Sequence, residues 1–109
     1  MYVAKVLTTA STNATVVKAS AGRVLGWHLT NTSAAIRVVR LNNLAVAPTV
    51  GTTVPAYVIA IPAGQTVQAT FPFGINHTTG ICYSVTGAIS DLDATATAAN
   101  DVVGALYYA

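Results

Sequence analysis

Residues Tyr57 to Phe71 read YVIAIPAGQTVQATF, and the two ends of this stretch follow different rules. From Thr66 onward polar and apolar positions alternate. Val67, Ala69 and Phe71 fall on one side of an extended chain and Thr66, Gln68 and Thr70 on the other, which predicts a strand with one face on a core and one in water. In Tyr57 to Ile61 nearly every position is apolar. That pattern predicts a strand that is central or covered on both faces, ended by Pro62, which has no N–H for the ladder. Between the two, Pro62-Ala63-Gly64-Gln65 carries turn residues.

The same grammar extends in both directions. Strands are expected at about Val3 to Thr9, Ala14 to Ala19, Val24 to Asn31, Ala35 to Leu41, Tyr57 to Ile61, Thr66 to Phe71, Gly80 to Thr86 and Val102 to Tyr108. Ala21-Gly22, Asn31-Thr32-Ser33, Asn42-Asn43, Phe73-Gly74-Ile75-Asn76 and Thr86-Gly87 separate them as turns. The chain has no Glu, few Lys or Arg, and apolar segments rich in Val, Ile, Thr and Tyr, which pack well on pleated surfaces. The fold class is therefore all-β, with the strand spacing of a sandwich or a small barrel. Leu44 to Pro55 (LAVAPTVGTTVP) reads as a long connection between sheet edges, as in Greek-key topologies. Gly87 to Asp101 reads as a loop with room for one short strand.

At 109 residues the chain suits one domain, 1–109, and its first twelve residues suit either an edge strand or an arm reaching another subunit. Only 7% of residues are charged, against about 25% in an ordinary domain. Disorder is excluded, because the mean hydropathy is +0.59 and the net charge only +2. So few charges leave the surface to Thr, Ser, Asn, Ala and aliphatic side chains, and part of it is expected to be buried against other chains. Lys5, Lys18, Arg23, Arg37 and Arg40 are scattered, so no basic stripe for nucleic acid is expected. Lys5 interrupts the one candidate leader segment, and no apolar run is long enough for a membrane helix. A protein made in the cytoplasm, without membrane or nucleic-acid partners, is the expectation.

Reactive groups are few. Asp91, Asp93 and Asp101 are the only acidic side chains, and their spacing suits turns rather than a calcium loop. Cys82 has no partner for a disulfide and reads as a buried small hydrophobe; it shares one strand face with Ser84, outside any nucleophile-elbow pattern. His28 neighbours Trp27 and points the opposite way, outward if Trp27 is in the core, and His77 is expected in a solvated loop. Neither has a zinc-type partner nearby. Gly22 and Gly26 flank a strand rather than opening a helix, so no dinucleotide fingerprint exists. No catalytic residue, cofactor or metal is expected.

Interface residues are better represented. Arg37 and Arg40 are three apart and so face opposite ways, with Ile36 and Val38 beside Arg40, and Val39 and Leu41 beside Arg37. They read either as solvated guards of an edge strand or as interface groups meeting a partner's carboxylate. Tyr2 opens the chain and Tyr107-Tyr108 closes it; adjacent strand residues face opposite ways, so at least one of that pair is not simply core. Tyrosine suits contacts that are dry at one end and wet at the other.

Read as strands and turns, the chain resembles a family of small structural proteins of tailed bacteriophages. The resemblance is carried by Ala14 to Asn31 (ATVVKASAGRVLGWHLTN), Leu41 to Val50 (LNNLAVAPTV), Ile59 to Gly64 (IAIPAG), Phe73 to Thr86 (FGINHTTGICYSVT) and Asp101 to Tyr107 (DVVGALY). It implies a single-domain antiparallel β-sandwich, often jelly-roll-like, carried on the virion as a head decoration or cement protein, or in a tail or fibre. It implies a homo-oligomer, commonly a trimer, that ties together neighbouring copies of the major capsid protein, with no catalytic residues.

Overall fold

The computed structural model describes residues 1–109, with every element a strand: β1 (Tyr2–Leu7), β2 (Thr15–Lys18), β3 (Gly22–Asn31), β4 (Arg37–Asn42), β5 (Tyr57–Ile61), β6 (Thr66–His77), β7 (Ile81–Thr86) and β8 (Val102–Tyr108). They form two four-stranded sheets, ordered β1-β8-β3-β6 and β2-β7-β4-β5, antiparallel throughout. The pairs β1·β8, β2·β7, β3·β6 and β4·β5 nest like one long hairpin rolled over on itself. That nesting is a jelly roll, a double-sheet sandwich of eight strands.

Alternation places the core. From the β8 sheet, Val6, Val24, Leu29, Val102 and Leu106 point inward; from the β7 sheet, Val39, Leu41, Ile59, Ile61, Ile81, Tyr83 and Val85 meet them. Each fully buried aliphatic side chain contributes about 1.5–3 kcal/mol, so these residues dominate the stability. Trp27 packs against the same cluster, its ring 5.2 Å from that of Phe71. At one end of the sandwich the fully buried Asn31 donates to the Ala35 and Ile61 carbonyls and accepts from the Ser33 amide. It thereby pins the β3–β4 crossover to the end of β5.

Four sequence expectations change. The connection from 43 to 56 does not cross between sheet edges: it closes the β4–β5 hairpin within one sheet. β5 is an edge strand rather than a central one, and its apolar run reflects Ile59 and Ile61 entering the core while Ala60 stays exposed. β6 does not end at Phe71. Phe71, Pro72, Phe73 and Gly74 form a bulge opposite the register shift between Val24 and Gly26, with Gly74 at a φ of 75°, a left-handed conformation that glycine adopts without strain. The turn residues read at Phe73 to Asn76 thus serve a bulge, and the chain reverses at Thr78 to Gly80 instead. Finally, His77 is buried, not solvated.

Candidate functional site

β7 and β8 hold equivalent central places in their sheets, yet their outward faces meet opposite fates. All six residues of β7 are buried, whereas in β8 only Val102 and Leu106 are fully so. The outward side chains of β7 are Cys82, Ser84 and Thr86, set beside Asn42, Arg40 and Val38 of β4. Two loops, 43–56 and 87–101, cover them. Cys82 Sγ lies 3.0 Å from the Leu44 carbonyl and 3.2 Å from that of Val46. Arg40, 2% exposed, donates through Nε to Thr86 Oγ1 at 2.8 Å and through Nη2 to the Ala88 carbonyl. Asp93 accepts from the Ala88 amide at 3.1 Å and from Thr95 Oγ1 at 2.8 Å, which folds the second loop down. The loops meet where Gly51 approaches Ala94.

Charge follows this packing. Burial draws the Arg40 guanidinium below its ordinary pKa, opposed by Asp93 and Asp91, and burial pushes the Cys82 thiol up. Partial burial works against the Asp93 carboxylate, but hydrogen bonds from Thr95 and Thr86 and from two backbone amides outweigh it and hold its pKa low. Asp101 is held low in the same way by the Ala98 amide and by Arg37.

The outward face of the β8 sheet has no such cover. Register places Val3, Tyr107, Gly26 and Thr70 in one row across its four strands, Lys5, Ala105, His28 and Gln68 in the next, and Leu7, Val103, Thr30 and Thr66 in the third. This face is apolar over β1 and β8 and threonine-rich over β3 and β6. Val3 is 61% exposed and Leu7 45%. β1 is also a free sheet edge, with its backbone groups open to another strand. The two outward faces differ: Arg40, Asn42, Ser84 and Thr86 are covered by the chain's own loops, which expose Val46, Val54, Ile89 and Leu92 in turn, whereas Val3, Leu7, Val103 and Tyr107 stand uncovered beside Lys5, His28, Gln68 and three threonines.

The expected interface residues separate accordingly. Tyr107 stands on the bare face, while Tyr2 and Tyr108 pair at its rim with ring centroids 5.5 Å apart, Tyr108 leaning on the core. Arg37 lies on the core side of β4 at the sandwich end, where its Nε bonds Asp101 at 2.9 Å. Arg40 lies beneath the loops on a central strand rather than guarding an edge. Both guanidinium groups are engaged within the chain.

The remaining titratable groups occupy structural positions. His28 is exposed on the bare face. His77 Nδ1 lies 2.9 Å from the Gly80 carbonyl, which only accepts, so Nδ1 carries the proton and Nε2 accepts from the Tyr57 hydroxyl at 2.9 Å. Burial pushes that phenol's pKa well up. No three of the His, Cys and Asp side chains gather as metal ligands would. Two residues read as turn positions have other places. Asn42 is buried because a loop lies over it, which no local period announces, and Phe73 is 86% exposed at the β6 bulge. No family model matches the chain, and no curated protein and no solved structure matches it.

Proposed function

We propose that this chain is a non-enzymatic structural protein of a tailed-phage virion, which assembles as a homo-oligomer of three chains and cements the capsid at the junctions of its subunits. The fold alone does not choose this role, since jelly rolls also serve as lectins and cupins. The observation that carries the reading is the uncovered strip of Val3, Leu7, Val103 and Tyr107 over β1 and β8, on the side of the sandwich opposite the polar β4 and β7 residues that the protein's own loops cover.

A contact of standard size removes about 800 Å2 from each partner, about a seventh of the 5292 Å2 this chain exposes. Val3, Leu7, Val103 and Tyr107 supply the apolar centre of such a contact, and the free edge of β1 supplies backbone groups for strand addition. On a shell with many equivalent junctions, attachment of each oligomer at several points raises avidity without a tight single contact. Lys5 and His28 add the few polar groups that fix orientation.

The test is cosedimentation of the purified chain with undecorated phage heads. Saturable binding that raises the heat resistance of the heads is expected, and Tyr107→Asp abolishes it. Absence of binding, with a wild-type chain that stays monomeric, contradicts the proposal. A second reading, a tail or fibre module recognising a host glycan, draws on Phe73, an aromatic ring presented free for stacking. The 43–56 loop does not extend free from the domain, because it is packed on the β7 sheet. Binding to host envelope sugars that Phe73→Ala abolishes, with no affinity for heads, selects this second reading.

A further inference from the structure

Beneath the two covering loops lies a small, partly open space of about 10 Å3, walled by Arg40, Asn42 and Ser84 of the sheet, by Pro48, Val50 and Thr53 of the first loop and by Asp91 of the second. Two polar side-chain atoms of these wall residues, Arg40 Nη1 and Asn42 Oδ1, have no hydrogen-bond partner within the chain. Both residues are buried, at 2% and 3% exposure. They stand two apart on β4 and so share its outward face. A buried polar group without a partner costs more than the hydrogen bond it lacks, and native chains leave few of them.

The two atoms differ in kind. Nη1 is only a donor and Oδ1 only an acceptor. A group that satisfies both must accept on one side and donate on the other, and the space admits about one water molecule. Turning the Asn42 amide over would present an N–H instead, and two donors facing one space would call for an anion. Asp91 on the same wall opposes that arrangement.

We infer that a single structural water is held between Arg40 Nη1 and Asn42 Oδ1, completing the network by which β4 holds the second loop. With it, the guanidinium serves three acceptors: Thr86 Oγ1, the Ala88 carbonyl and the water. Arg40 then acts as a positioning residue, fixing the second loop directly and drawing Asn42 into the same network through the water.

A crystal structure of the wild-type chain, with a parallel bromide soak, tests the site. One density peak at about 2.7–3.2 Å from both atoms, without anomalous signal after the soak, is expected. A bromide peak there would make it an anion site, and Arg40 and Asn42 bonded directly to each other or to loop carbonyls would remove the need for any ligand; either result overturns the inference. Hydrogen exchange tests the latch in solution. Arg40→Met and the milder Asn42→Leu each speed exchange at the Ala88 amide about tenfold, a change worth about 1.4 kcal/mol of local opening, and the double variant adds little to the stronger single one. Fully additive effects, or unchanged exchange at that amide, would mean that no shared water couples the residues.

Discussion

The two central strands make the instructive comparison. β7 and β8 each sit between two antiparallel neighbours and feed the same core. Of the outward residues of β7, Ser84 and Thr86 have the composition of a solvated face although Cys82 reads as buried, and Val103, Ala105 and Tyr107 of β8 have the composition of a covered one. In the single chain the reverse holds, because the long loops 43–56 and 87–101 both fold over the β7 sheet. A sandwich that hides the polar residues of one outer face under its own loops and leaves the Val, Leu and Tyr of the other open is arranged for company on the open side.

Breaking the covered side has the largest effect. Arg40→Ala leaves Thr86 and the Ala88 carbonyl without their donor under the loops and lowers stability by about 3 kcal/mol, read from urea denaturation. Lys5→Ala on the bare face stays within about 0.5 kcal/mol. Equal losses at the two positions would erase the distinction between the faces.

The next effect is acid sensitivity at the rim of the covered side. Asp93 and Asp101 have folded pKa values held below the unfolded value, so their contribution is fully present above about pH 4 and disappears as pH falls further through the depressed values. Thermal melts between pH 7 and pH 2 then show a steep drop below pH 4. Asp101→Asn, which breaks the pairing with Arg37, lowers stability at pH 7 by about 2 kcal/mol and flattens that drop. An unchanged acid limb would mean that other groups govern it.

Smaller still in folding terms are changes on the open face. Val3→Asp and Tyr107→Asp leave the urea midpoint within about 0.5 kcal/mol of wild type but weaken self-association at least tenfold, about 1.4 kcal/mol. The least perturbing probe is Cys82. Its thiol is buried beneath the 43–56 loop and its pKa is raised by that burial, so disulfide reagents modify it only on unfolding or loop opening, whereas a cysteine placed at Val103 reacts at once in the isolated chain.

These faces also mark where the sequence is legible. All eight strands could be read, because alternation and turn residues are local. The opposite facing of Arg37 and Arg40 and of Tyr107 and Tyr108 followed from a two-residue period that the register preserves. What could not be read depends on contacts between distant residues. β5 looked central because its apolar run carries no record of its neighbours, and the 43–56 segment looked like a crossover because its length says nothing of where it ends. Arg40 and Asn42 are buried by a loop that sequence does not place, and His77 is buried by Tyr57, twenty residues earlier.

The most direct measurement is the mass of the purified chain by light scattering as concentration rises. The account predicts a multiple of 11.1 kDa, three chains in the reading given above, falling to a single 11.1 kDa chain for Tyr107→Asp. A wild-type chain that keeps the mass of one protomer at every concentration, and that loses nothing when its open face is charged, would contradict it.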